Sequence, residues 1–315
     1  MSASLAVADI APRAASTGKR RRSPTERLEF IAGWLLSTVA TIMMWLLLIG
    51  PCVAVLLISF TDWEFGMPRV AFIGIENYQK MFADRVFWTS FRNTVIYVGL
   101  LVPISVALGL GIALLINAGA RGRGFYSAVY FLPVTATLLA TALAWEFAFH
   151  PTVGWFNLLL SAFGFPKLDW MKDGNVALYS LIIIGVWQAA GLNMILYLAG
   201  LRAIQRDLYE AASIDGVDSA WERFRRVTWP MLGAANVFVV SITTIRSFQV
   251  FDTVQVLTDG GPNKATSVLV YLMYQEGFQF LRSGYASAIT VAFLVCTLAL
   301  TWAQTAVLDK RAHYT

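Results

Sequence analysis

The sequence predicts an all-α integral membrane protein with six transmembrane helices and both termini in the cytoplasm. Three observations carry that prediction. The chain is 57% hydrophobic and only 14% charged, with a mean hydropathy of +0.62; it contains six apolar runs of spanning length; and its basic residues are unevenly divided between the connections. An ordinary soluble domain is about 45–50% apolar and about 25% charged, so this composition exceeds what one soluble core buries. Disorder requires low hydrophobicity and high net charge and is excluded by the same figures.

A spanning helix needs roughly 20 mostly apolar residues, and the six runs are 33–60, 95–116, 125–149, 176–201, 231–251 and 286–308. The first is long enough to tilt or to extend beyond the bilayer. The cluster Lys19, Arg20, Arg21 and Arg22 before it has the look of a secretory signal, but the apolar stretch is too long and no small-x-small cleavage site ends it. A retained first helix is expected. The N-terminal tail, the turn carrying Arg121 and Arg123, the segment from Arg202 to Arg226 and the tail with Lys310 and Arg311 hold fifteen lysines and arginines, against eight in the other three connections. Cytoplasmic connections carry the excess of basic residues, which orients the chain. The expected organisation is a basic tail (1–32), a first span (33–60), an outward loop (61–88), a core membrane domain (89–308) containing a cytoplasmic loop (202–230), and a short tail (309–315).

Cys52 and Cys296 both lie inside apolar runs and offer neither a disulfide framework nor a Cys-x-x-Cys spacing. His150 and His313 stand far apart, which argues against a metal site. Nothing in the chain points to nucleic acid, whereas membrane lipid is an expected partner. The outward connections 61–94, 150–175 and 252–285 are rich in aromatics. Trp63, Phe65, Trp88, Trp155 and Trp170 read as interface anchors, because amphipathic rings favour the headgroup region.

The most informative stretch runs from Tyr209 to Leu232. Residues 207–214 read as a helix in which Leu208, Ala211 and Ala212 share a face, and acidic groups near its start suit the helix dipole. Asp215-Gly216 breaks it, since glycine tolerates the positive φ of a C-terminal cap. A second helix over 219–227 places Trp221, Phe224 and Val227 at helical spacing, and Pro230 closes it before the fifth span. On physical grounds two readings stay open: a docking element for another chain, and an amphipathic linker lying in the membrane interface.

The residues Glu210-Ala211-Ala212, then Gly216, then Val227 and Pro230, resemble the EAA loop of ATP-binding-cassette importer permeases. The likeness is to the sugar-uptake branch that includes maltose and glycerol-3-phosphate permeases. It extends to Ile75-Glu76-Asn77-Tyr78, Asn93-Thr94, Phe131-Leu132-Pro133, the run from Trp145 through His150-Pro151 and Gly154 to Asn157, and Thr258-Asp259-Gly260-Gly261-Pro262. One departure is that ten residues separate Gly216 from Val227 where the family has nine; an extra turn residue around Asp218-Ser219 accommodates it.

The resemblance implies a type I importer permease fold and a subunit that is not an enzyme and binds no cofactor. ATP is then hydrolysed by a partner ATPase dimer. Glu210, Ala211, Ala212, Asp215, Gly216, Arg223 and Pro230 would couple to that ATPase. A second homologous permease would supply the other half of the pathway. An extracytoplasmic solute-binding protein would face Thr258, Asp259, Gly260, Gly261 and Pro262. In the maltose permease the substrate pocket matches Gly185, Gln188 and Ala189 on the fourth span and Ser247 and Val250 on the fifth.

Charge inside a span is costly and marks a pathway or a helix-pairing contact. Arg246, Ser247, Gln249 and Asp252 cluster at the end of the fifth span. Gln188 and Asn193 lie in the fourth, and Glu146 near the outer end of the third. Trp187, Gln188, Arg246, Ser247, Gln249 and Asp252 are the candidate substrate contacts, with Trp187 suited to stack on a sugar ring. Arg246 has a second reading, an ion pair with Glu146 or Asp252. The expected cargo is a sugar, oligosaccharide, polyol or glycerol phosphate. An ion-gradient-driven secondary transporter is the alternative, although no clear inverted repeat is visible. Gly260 to Thr266 lacks the spacing of a phosphate-binding loop.

Overall fold

The computed structural model describes residues 24–119 and 122–309. Lys19 to Arg22, Arg121, Lys310, Arg311 and His313 lie outside the described residues, as do both expected tails for the most part. The chain divides into two units, Met1–Val53 and Ala54–Thr315. The first contains α1 (Pro24–Met44), which continues through a π-helical turn (Trp45–Ile49) into α2 (Gly50–Ile58). The apolar part of this run, Phe30–Ile58, has a mean hydropathy of 2.5.

The second unit is helical apart from one isolated antiparallel bridge, Thr61 to Phe72, among the described residues. After α3 (Glu76–Ala83) come α4 (Arg85–Asn117), α5 (Arg123–Thr135), α6 (Leu138–Ala148), α7 (Trp155–Ala162) and α8 (Ala177–Ala203). Then follow α9 (Arg206–Ile214), α10 (Ala220–Met231), α11 (Gly233–Phe248), α12 (Asp252–Leu257), α13 (Leu269–Tyr274) and α14 (Ser283–Asp309). Four helical runs are long and apolar enough to cross a bilayer: Phe30–Ile58, α4, α8 and Ser283–Gln304 of α14. Two bent pairs, α5 with α6 and α10 with α11, bring the number to six if each is one span.

In these pairs the helix is broken by a bend that the sequence reading did not place. The run at 125–149 breaks after Thr135 and turns through 99°. Pro133 sits in the last turn of α5, Ala136 is extended, and the Thr137 hydroxyl accepts from the Ala140 amide to start α6. Hydropathy averages over a window and does not register such a turn. The fifth span is shorter than 231–251: α11 begins at Gly233 and ends at Phe248, so Gln249 and Asp252 lie beyond it. Pro230 does not close α10. The π-helical turn Phe224–Thr228 lets the Trp229 amide donate to the Phe224 carbonyl, which carries the helix past the proline to a 71° bend at Leu232. The stretch read as outward loop 61–88 is partly helical. Asp84 caps α4 by accepting from the Val86 amide at 2.8 Å, which starts that helix ten residues before the expected apolar run.

Within a bilayer, lipid tails are as apolar as leucine, so close packing and interhelical hydrogen bonds hold spans together. The α4–α8 pair shows both. At Gly109 an added Cβ would lie 2.5 Å from the Asn193 Cβ and 3.0 Å from the Met194 backbone nitrogen, so the crossing requires glycine. Asn193, fully buried, donates to the Ser105 hydroxyl (3.3 Å) and accepts from the Thr243 hydroxyl (2.7 Å), joining α4, α8 and α11. Asn193 is therefore a packing residue. Around it lie Ala113, Met194, Tyr197, Leu232 and Val239; a second core gathers Tyr97, Trp145, Phe149, Ile184 and Tyr271. Trp170 belongs to this second core and not to the interface: it stacks on Phe149 at 5.1 Å and its indole N–H donates to Asn157 at 3.0 Å. Asn157, the last residue of the family-like run from Trp145, holds the 150–175 connection together through Pro151, Leu168 and Trp170.

Candidate functional site

At one end of the second unit α9 and α10 form a hairpin. Gly216 has φ +81° and follows the last turn of α9. Its amide donates to Ser213 (3.2 Å) and the Val217 amide to Ala212 (2.9 Å), the paired bonds of a Schellman cap. Ala212 and Val217 are buried beneath that cap, while Ala211 is exposed, so the two alanines do not share a face. Ser219 caps α10 by accepting from the Glu222 amide at 3.1 Å, and the extra residue near Asp218 and Ser219 falls in the connection between the helices. The Tyr209 hydroxyl meets the Thr228 hydroxyl at 3.1 Å and ties α9 to α10. The hairpin leaves apolar side chains uncovered: Ile214 is 86% exposed and Trp221 68%. Glu210, Asp215 and Arg223 are exposed in the same hairpin.

Between the helices lies a cavity of about 270 Å³ lined by Tyr97, Gln188, Arg246, Ser247, Gln249 and Asp252, among others. The structure thus brings together five of the six residues singled out for substrate contact, along with Gly185, Ala189 and Val250. Gln249 and Asp252 reach the cavity from the turn after α11 and from the start of α12, not from a continued helix face. Trp187 does not line it. Its ring stands edge-on to Trp145 at 5.5 Å and 75°. The Ser247 hydroxyl donates to the Thr243 carbonyl at 2.7 Å and offers the cavity only its lone pairs. Among the described residues no ion pair joins Arg246 to Glu146 or to Asp252, and Arg246 is exposed on the cavity wall. A cationic donor and an anionic acceptor, both uncommitted, suit a ligand bearing several hydroxyl groups.

At the opposite side of the cavity's turn, the loop after α12 is firmly anchored. Of Thr258, Asp259, Gly260, Gly261 and Pro262 only Asp259 is exposed. The Thr266 hydroxyl donates to Thr258 (2.8 Å) and to the Gly261 carbonyl (2.6 Å), and the Tyr271 hydroxyl donates to Asp259 (2.8 Å). Burial, with Asp259 beside it, pushes the Tyr271 phenol up, so that it remains a donor. Asn93 on α4 donates to the carbonyls of Lys264, Ala265 and Ser267 at 2.9–3.2 Å, and Thr94 accepts from the Leu269 amide at 2.9 Å. Asn77 similarly donates to Ser59 and Thr61. Asn93→Ala strips the donor from this loop, and unsatisfied buried groups cost about 1–3 kcal/mol each. Its thermal midpoint in detergent is expected below that of the parent chain; an unchanged midpoint refutes the clamp.

A helical chain with several candidate spans, a polar cavity between them and an exposed apolar hairpin has the architecture of a membrane transport subunit. The chain belongs to the family of binding-protein-dependent transport system inner membrane components, which matches residues 87–313. Its relatives include a probable ABC transporter permease of Pyrococcus horikoshii, 36% identical over 76% of this chain and 83% of that one. An sn-glycerol-3-phosphate transport system permease of Agrobacterium fabrum is 33% identical over 77% of this chain and 83% of the relative. A trehalose/maltose transport system permease of Thermococcus litoralis is 35% identical over 75% and 79%. The relatives are transport permeases and not enzymes. A bacterial ABC transporter for the acidic polysaccharide alginate shares the fold, with a TM-score of 0.77 at 22% identity over 90% of this chain and 96% of the other.

Proposed function

We propose that this chain is one permease subunit of an ATP-driven, binding-protein-dependent importer that carries a sugar, oligosaccharide, polyol or glycerol phosphate across the cytoplasmic membrane. It crosses six times with both termini inside. The α9–α10 hairpin is cytoplasmic, a second homologous permease completes the pathway, and an extracytoplasmic protein delivers the solute to the outward side, where the 258–262 loop lies. The domain boundaries are those read from the sequence, with the core membrane domain beginning near residue 89. This chain binds no cofactor; a partner ATPase dimer hydrolyses ATP.

The observation that carries the reading is the exposed tip of the hairpin. Ile214 stands uncovered at the end of α9, with Glu210, Asp215 and Arg223 exposed in the same hairpin, and an exposed apolar group among charges suits a protein contact. Glu210, Ala211, Ala212, Asp215, Gly216, Arg223 and Pro230 make up this coupling element. Closure of the ATPase dimer moves the hairpin, and ATP and solute must each bind the inward- and outward-facing states with different affinity for the cycle to run. Uptake by cells is expected to collapse on ATP depletion and to survive dissipation of the proton gradient; the reverse pattern would favour an ion-driven carrier.

The cavity supplies the solute path, with Gln188, Arg246, Ser247, Gln249 and Asp252 as contacts. Arg246→Ala removes an uncommitted charge-assisted donor, worth about 1.5–3 kcal/mol, so uptake is expected to fall at least tenfold with assembly intact. Full uptake by the assembled variant removes Arg246 from the path.

A further inference from the structure

Helix α10 carries a second surface. It is bent 71° from α11, so when α11 crosses the bilayer α10 is turned most of the way into the membrane plane. An aromatic ladder runs along it, with Trp221 to Phe224 at 5.7 Å and Phe224 to Trp229 at 5.9 Å. Beside the ladder, Trp221, Glu222, Arg225 and Arg226 line a concavity of about 450 Å³. Glu222 is engaged by Arg226 at 3.6 Å, while Arg225 has no carboxylate partner among the described residues. Arg202, Arg206 and Arg223 are exposed nearby in the chain.

We propose that α10 is an interfacial helix whose Trp221–Arg225–Arg226 concavity binds the headgroup of an anionic phospholipid in the cytoplasmic leaflet. The inference rests on the cytoplasmic placement of the hairpin. Aromatic rings prefer the headgroup region, and an amphipathic helix with arginine on its polar side is attracted to anionic lipid. Arginines shortly before a span, here Arg225 and Arg226 ahead of α11, attract anionic lipid, at about five-fold in affinity for each basic residue near the surface. Continuity with α11 favours lipid over a soluble chain, because Trp229 and Met231, both exposed, directly precede the span. The hairpin then divides its work: Ile214, at the end of α9, and Arg223 on the far side of α10 meet the ATPase, and the Trp221–Arg225–Arg226 side of α10 rests on the bilayer.

The test uses the assembled importer in nanodiscs of phosphatidylcholine with one quarter phosphatidylglycerol. A photoreactive benzoylphenylalanine replacing Trp221, which is exposed and outside the core, is expected to attach to phospholipid. Attachment to the ATPase chain, or to nothing while a control site in α14 labels lipid, overturns the proposal. In parallel, Arg225→Gln with Arg226→Gln is expected to lower the phosphatidylglycerol retained after delipidation by roughly 25-fold, at about five-fold per arginine. Unchanged retention overturns it. Asp218→Cys, probed with a membrane-impermeant maleimide, separates the two failures: labelling from outside intact cells refutes the cytoplasmic placement itself, whereas protection there with no lipid adduct refutes only the lipid site.

Discussion

Gly216→Pro is expected to abolish coupled uptake while the chain still inserts and accumulates in the membrane. Proline fixes φ near −65° and removes the amide hydrogen, whereas Gly216 sits at φ +81° and donates to Ser213. Both bonds of the cap are lost, including the one from Val217 to Ala212 at 2.9 Å. The angle between α9 and α10 is then no longer set, and the Tyr209–Thr228 bond that braces them goes with it. Nothing in the spans touches this position; an added Cβ would meet no atom within 4 Å. The damage is therefore confined to the hairpin. Gly216→Ala keeps the amide but forces a side chain into the left-handed region at about 1–2 kcal/mol, and an intermediate loss is expected. The measurement is uptake normalised to membrane-inserted protein; normal normalised uptake by the proline variant contradicts the coupling role of the loop.

Gly109→Leu is expected to be a severe structural lesion in the spans. The new Cβ alone falls 2.5 Å from the Asn193 Cβ and 3.0 Å from the Met194 nitrogen, so α4 must move off α8. That movement pulls Ser105 and Thr243 away from Asn193, and overpacking a tight contact costs about 1–3 kcal/mol before those bonds are counted. Folded protein recovered in detergent is expected to drop several-fold. Gly111→Leu is the matched control, because no atom lies within 4 Å of a Cβ there. Equal recovery of the two variants would refute the close crossing.

These two glycines show what was legible in the sequence and what was not. Gly216 was readable as a helix stop because the φ requirement is local, and the cap is set by its immediate neighbours. Gly109 is one of several small residues along α4, with Ala107 and Gly111 beside it in the chain. Which of them sits at the crossing depends on how α8 rotates, and no local pattern reports that. The same distinction separates Arg246 and Gln188, whose cost in a span flags them individually, from Trp187. Trp187 lies next to Gln188 in the chain, yet Trp145 occupies its face. The break after Thr135 is hidden for a further reason. Hydropathy records whether a segment is apolar over about twenty residues, and the 125–149 run is uncharged apart from Glu146. Pro230 was a genuine signal read at the wrong place, because a π-turn upstream absorbed the missing hydrogen bond. Asn93 and Asn157 stand out in the sequence only through the family resemblance; their clamping roles, Asn93 on carbonyls more than 170 residues along the chain, follow from tertiary packing that no local pattern reports.

The central claim is that this chain works as one of two permeases on a shared ATPase, and the most direct test is its company in the membrane. Gentle detergent extraction of the tagged chain from its native membrane, followed by mass spectrometry of the bound proteins, is expected to recover an ABC ATPase and a second six-span chain. Recovery of the chain alone, still able to move solute after reconstitution, would contradict the account and point to a carrier driven by an ion gradient.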